Sequence, residues 1–215
     1  VLLELAASAP GDQVWRECVD QAAKTGTRTR LAVDRVFAVL GADRLLQALS
    51  DERVEVRRAA IDQVVAVRDL RAQDQLVRMF DDAEPGVRRA AIFAAGQLKL
   101  AVARQPLVDR IVDVNTDPVI RRDAMAAIGR IGGEGVFLVL QRSLASPLQA
   151  DRDAALRGLG ELRDERAAEQ LASIFTASLG QPSADLARVY LTRMGAHFAV
   201  PALRKQLDTQ SPDVR

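Results

Sequence analysis

One six-residue phrase recurs along the chain at nearly constant spacing. It reads Val-Arg-Arg-Ala-Ala-Ile at 56–61 and 87–92, and it returns in altered form at 120–125 and 151–156. Its first arginine advances by 31, 33 and 31 residues, through Arg57, Arg88, Arg121 and Arg152. A fixed period of this length predicts a solenoid, in which each unit packs only against its neighbours.

The residues around the phrase predict what one unit contains. A glycine closes the segment eight residues after the arginine position in four units, at Gly96, Gly129, Gly160 and Gly195. Apolar residues on both sides of the phrase have helical spacing, and short polar residues and prolines separate the two runs. We therefore expect an all-α solenoid of antiparallel helix pairs, as one domain over 1–215 and as a fragment of a longer array. The expected pairs are 13–41, 43–67, 73–99, 104–131, 135–163 and 166–196, with a partial unit at 199–215.

The segment Asp82–Ala91 carries the pattern Asp-x-x-Pro-x-Val-Arg-x-Ala-Ala. With the later glycine, it resembles the HEAT-repeat family in its short bacterial form, also called PBS-lyase-like repeats. The resemblance implies a right-handed solenoid whose second helices line the concave face. It also implies that the first arginine bridges to an acid in the turn of its own or the next unit. The residues of this expected structural ladder are Arg57, Arg88, Arg121, Arg152, Asp51 and Asp82.

The second arginine of the phrase has a different expected role. Helix phase directs it away from the core, so it would face a partner on the concave side. Acidic groups of a protein partner suit such a strip, because arginine binds carboxylates through two parallel hydrogen bonds. An ordinary solvated face remains the alternative, and Asp153 interrupts the strip in one unit. The candidate partner-binding residues are Arg58, Arg89, Arg122, Phe93, Arg157 and Arg188.

Composition argues against several other kinds of function. The net charge of +1 and the 4 % aromatic content give little support to nucleic-acid binding. The chain has one cysteine, Cys18, and one histidine, His197, so we expect neither a metal site nor a cofactor. Gly132–Gly135 lacks the lysine of a phosphate-binding loop. No apolar run reaches the roughly 18 residues that a membrane span requires.

These observations predict a non-enzymatic scaffold or adaptor that binds a partner protein, since no nucleophile–base pair stands out. The single cysteine favours a reducing, cytoplasmic location. Two alternatives stay open, both drawn from the family resemblance. One is a nucleic-acid-binding HEAT-like protein, and the other is a phycobilin-lyase-like enzyme or a regulatory repeat domain of a larger protein.

Overall fold

The structure is a computed structural model that describes residues 42–209. The expected pair at 13–41 and the end of the partial unit, 210–215, lie outside the described residues. Between 42 and 209 all regular structure is helical and no strand occurs, which confirms the all-α prediction. The chain divides between Ala94 and Ala95 into two compact units, and each is described by itself.

The described part of the first unit, from residue 42, contains two helix pairs, the second of which ends beyond the boundary. Helix α1 joins α2 through a short turn, and α3 joins α4 in the same way. Short 3-10 segments, Leu70–Ala72 and Met79–Asp81, flank α3. The helices are α1 (Ala42–Ala48), α2 (Val54–Val67), α3 (Gln73–Arg78) and α4 (Pro85–Gln97).

As far as residue 209, the second unit contains three helix pairs and one further helix. A 3-10 segment, Ala101–Ala103, precedes its first helix. The helices are α5 (Arg104–Val112), α6 (Pro118–Ile131), α7 (Val136–Ser143), α8 (Gln149–Leu162), α9 (Glu165–Ala177), α10 (Pro182–Met194) and α11 (Ala196–Thr209). Helix α11 begins three residues before the expected partial unit, because it follows directly on Gly195, which has a φ of 94°.

Aspartates in the turns before the second helices accept hydrogen bonds from nearby backbone amides. Asp51 accepts a hydrogen bond from the backbone amide of Arg53 at 2.9 Å, and Asp82 accepts one from the amide of Glu84 at 2.9 Å. Asp117 caps α6 by accepting from the amides of the second and third helical residues, at 2.8 and 3.2 Å. Such bonds satisfy amides that have no partner within the helix.

In the second unit the second helices form a continuous layer, in which α8 contacts both α6 and α10. Glycines allow the closest approach between neighbouring second helices. A Cβ atom on Gly129 would lie only 2.2 Å from the carbonyl oxygen of Gly158, and one on Gly158 would lie 2.6 Å from the carbonyl oxygen of Met125. Gly129, one of the recurring glycines, is therefore a contact point between helix backbones. Buried leucines such as Leu140 and Leu159 fill the space around them.

Candidate binding face

The first arginine of the phrase binds the turn that precedes its own helix. Arg57 donates from Nη1 to the carbonyl oxygens of Asp51 and Glu52, at 2.8 and 2.9 Å. Its Nε and Nη2 donate to the two carboxylate oxygens of Asp82, both at 2.9 Å. The side chains of Arg57 and Asp82 are only 13 % and 11 % exposed. Arg57 thus joins its own turn to the turn of the next pair.

The other first arginines repeat the carbonyl bonds but not the full bridge. Arg88 donates to the carbonyl oxygens of Asp82 and Ala83, at 2.8 and 3.1 Å. Arg152 donates to those of Ser146 and Pro147, at 2.7 and 3.0 Å. The predicted acid Asp51 forms an ion pair with Arg53, at 2.9 Å. The common role of these arginines is therefore to bind the turn of their own pair.

Arg121 pairs with an acid that sequence reasoning did not single out. Asp151 is 1 % exposed and stands where other units carry a buried aliphatic residue such as Val56. Its Oδ2 lies 3.4 Å from Nη1 of Arg121 and 3.3 Å from Oγ of Ser146. Its Oδ1 and the Nε of Arg121 make no hydrogen bond with the described residues. The interrupted apolar pattern at 151 could have marked Asp151 as a buried acid, but it does not identify Arg121 as its partner.

We expect the double variant Arg121→Met/Asp151→Ile to unfold at the same temperature as the wild type or higher. Loosely bonded buried ion pairs often contribute less than the hydrophobic contacts that replace them. Arg121→Met alone should lower the free energy of unfolding by about 2 kcal/mol, because it leaves a buried carboxylate without the nearer of its two cations and with only Arg122 at 3.9 Å. Thermal unfolding of the three proteins measures both effects. A double variant less stable than Arg121→Met would contradict this prediction.

In the first unit, two outward arginines and an aromatic side chain share the surface of α2 and α4. Arg58 and Arg89 are exposed. Phe93 is 52 % exposed and follows Arg89 by four residues, which places both on one side of α4. The Nη1 atom of Arg58 lies 3.9 Å from the position of a Cβ built on Gly86, so its guanidinium reaches the first turn of α4.

In the second unit, the outward arginines differ in their surroundings. Arg122 is half-buried, and its Nη1 lies 3.9 Å from Oδ1 of Asp151. Arg188 is exposed and lies 3.8 Å from Asp185 on the same helix. Arg157 is exposed, and its Nε donates to the hydroxyl oxygen of Tyr190 at 3.2 Å. The strip predicted from sequence is thus uneven, and part of Arg122 serves the buried ion pair.

Tyr190 is the second residue that sequence reasoning missed. It is 7 % exposed and stands where the earlier units have the small residues Ala60, Ala91, Ala124 and Ala155. Gly160 provides the space, because a Cβ there would lie 2.6 Å from Cβ of Tyr190. The guanidinium of Arg193 lies over the tyrosine ring, 5.7 Å from its centroid. Tyr190 thereby gathers two arginines from neighbouring helices.

Two further kinds of site are absent between residues 42 and 209. No group of three histidine, cysteine or acidic side chains there is close enough to hold a metal ion. No helix in that part of the chain is both long enough and apolar enough to cross a membrane.

Stacked helix pairs of about 31 to 35 residues define an α-solenoid repeat protein. The match to known families identifies which kind of α-solenoid repeat this is. Residues 42–126 match HEAT repeats, and residues 151–175 match the PBS lyase HEAT-like repeat. The chain belongs to the HEAT-repeat family, which confirms the resemblance seen in its sequence.

Solved structures share the fold at low sequence identity. A computationally designed armadillo repeat protein for modular peptide recognition is 19 % identical, with a TM-score of 0.55 over 90 % of this chain and 99 % of that one. The complex of CpcE and CpcF of phycocyanin lyase from Nostoc sp. PCC7120 contains a chain that is 22 % identical. Its TM-score is 0.54 over 95 % of this chain and 90 % of that one. No curated protein matches the sequence.

Proposed function

We propose that this protein is a non-enzymatic scaffold or adaptor that binds a partner protein through the outward surfaces of its second helices. The arginines on these surfaces would recognise acidic groups of the partner. The residues that we assign to the binding surface are Arg58, Arg89 and Phe93 in the first unit and Arg122, Arg157 and Arg188 in the second.

The observation that carries the proposal is the surface of α4. Arg89 is exposed there, and one turn further along Phe93 leaves 52 % of its surface open to solvent. Arginine and aromatic side chains supply much of the binding energy at protein interfaces. An exposed phenylalanine beside an arginine therefore favours a protein partner over a purely solvated face.

The solved relatives agree with a binding role. The designed armadillo protein is described as recognising peptides, and CpcE and CpcF form a complex with each other. Solenoids suit this work because stacked second helices present one extended surface rather than an enclosed cavity. The similarity to these structures supports a fold that is suited to binding other chains. The arginines and Phe93 on α2 and α4 would supply the contacts with the partner.

The proposal predicts which peptides the protein selects from an unbiased displayed library. Peptides enriched in aspartate and glutamate should bind, and the variant Arg58→Glu/Arg89→Glu should weaken binding by on the order of tenfold or more. Phe93→Ala should weaken it as well, through lost apolar contact. Affinities measured by calorimetry on the selected peptides test all three expectations.

Arg78→Glu provides the matched control, because Arg78 is exposed on a first helix of the same unit. Glutamate at 58 or 89 lies near a helix start, where negative charge is favoured, so melting should change little. If the selected peptides are not enriched in acidic residues, or if Arg78→Glu weakens peptide binding as much as Arg58→Glu/Arg89→Glu does, the arginine surface is not the binding site. If a DNA duplex binds more tightly than the selected peptides, with an affinity that falls steeply with salt, the partner is a nucleic acid rather than a protein.

A further inference from the structure

Two arginines in the second unit are held against one tyrosine side chain. Arg157 of α8 donates from Nε to the hydroxyl oxygen of Tyr190, and Arg193 of α10 lies over the tyrosine ring. The ring itself is fixed, because it packs against the backbone of Gly160. A tyrosine that is 7 % exposed therefore positions two guanidinium groups that both belong to exposed residues.

The charges of these two arginines are not neutralised within the described residues. Three other arginines on the second helices of the unit have a carboxylate within 4 Å: Arg122 has Asp151, Arg130 has Glu161 and Arg188 has Asp185. Arg157 and Arg193 have no such ion pair in 42–209, and each contacts Tyr190 instead. The cluster thus places two positive charges together without an acid.

The cluster also has hydrogen-bond donors to spare. Arg157 uses only its Nε, which leaves the two Nη groups free to donate. The hydroxyl oxygen of Tyr190 accepts from Arg157, so its own proton remains available to another acceptor. Arg193 contacts the ring by its guanidinium face, which leaves its N–H groups directed to the sides. Three donor groups from two helices can therefore serve one anion.

Acidic residues limit the size of that anion. On α8, Asp153 and Glu161 lie four residues on either side of Arg157, on the same side of the helix. Asp153 accepts a hydrogen bond from Gln149, and Glu161 accepts one from Arg130. A continuous polyanion such as nucleic acid would meet both carboxylates, whereas a single compact anion would not.

We propose that Arg157, Tyr190 and Arg193 form a binding site for a phosphate monoester carried by a side chain of the partner protein. Such a group has a charge near −2 and three terminal oxygens, which match two guanidinium groups and three donors. This inference rests on the proposed function, because it specifies the chemistry that one part of the second-helix surface recognises.

The test uses the full chain and a labelled glycine–serine peptide that carries one phosphoserine. Twin peptides with glutamate or serine at that place, and a DNA duplex, complete the set, and fluorescence anisotropy gives each affinity. The phosphoserine peptide should bind most tightly, and Tyr190→Phe should weaken it about tenfold, the usual effect of losing a hydrogen bond to a charged group. Arg157→Gln and Arg193→Gln should each weaken it at least as much.

Arg142→Gln and Arg204→Gln are the charge-matched controls, since both residues are exposed on first helices of the same unit. Tyr190→Phe keeps the ring and should keep the melting temperature, so a loss of binding reports on the hydroxyl group. Equal affinity for the phosphoserine and glutamate peptides, or equal weakening by the controls, would overturn the site. So would DNA binding that depends on the same three residues.

The outcome also separates this site from the broader proposal. If library-selected peptides bind Tyr190→Phe normally while the phosphoserine peptide never binds, the scaffold proposal stands and the phosphate site fails. If the phosphoserine peptide binds through Tyr190 while the library yields no ligand, the phosphate site stands and the arginine surface of α2 and α4 fails.

Discussion

Gly129→Ala is expected to lower the free energy of unfolding by about 3 kcal/mol or more. The added Cβ would lie 2.2 Å from the carbonyl oxygen of Gly158, 2.8 Å from its carbonyl carbon and 2.8 Å from its Cα. All three are backbone atoms, so no side chain can turn aside, and α6 and α8 must move apart. Overpacking in cores costs about 1–3 kcal/mol even where side chains can adjust. Urea unfolding followed by circular dichroism measures the loss.

Gly86→Ala is the matched control for this prediction. Gly86 is also helical, near the start of α4, and a Cβ there would find Arg58 Nη1 at 3.9 Å, an ordinary contact. Alanine favours helix more than glycine does, so this variant should be as stable as the wild type or slightly more stable. Similar losses in both variants would show that a general effect of the substitution, rather than the contact between α6 and α8, is responsible.

Asp82→Asn is expected to cost about 2–3 kcal/mol near neutral pH. It removes the carboxylate that accepts two hydrogen bonds from Arg57, at 2.9 Å each, and leaves a largely buried guanidinium without its counter-charge. A double-mutant cycle with Arg57→Met measures the coupling between the two side chains. The two losses should add to clearly more than the loss in the double variant; simple additivity would argue against a direct bridge.

The same carboxylate makes the stability depend on pH in a defined window. Burial opposes ionisation of Asp82, but hydrogen bonds from Arg57 and from the Glu84 amide outweigh it, so the pKa of Asp82 lies below its ordinary value. A lowered pKa in the folded state stabilises the protein above the unfolded pKa of about 3.9 and loses that effect as pH falls through the folded pKa. The difference between wild type and Asp82→Asn should therefore shrink below about pH 4.

The helix pairs could be predicted because local chemistry repeats with the period. Pro85 and Pro118 each stand at the first residue of a second helix, where a missing amide costs nothing. The bridge from Arg57 to Asp82 could be anticipated for a similar reason, since the family pattern places an arginine and a turn acid at fixed positions. In these cases one repeat predicts the next.

The parts that could not be predicted are those where one repeat departs from the others. Asp151 replaces an aliphatic residue, and only the positions of Arg121 and Ser146 show how a buried acid is accommodated. Tyr190 replaces an alanine, and only the bare backbone of Gly160 on the neighbouring helix explains where its ring fits. Both depend on contacts about 30 residues apart in sequence, which periodicity alone does not pair.

The carbonyl bonds of the first arginines have a consequence for how such an array can be rearranged. Arg57, Arg88 and Arg152 each bind the turn of their own pair, so these bonds would travel with the pair if it were duplicated, deleted or transplanted. Arg121–Asp151 and Gly129–Gly158 instead match one specific pair to the next. A cut between the pairs at 101–131 and 136–162 would therefore separate residues that are matched to each other.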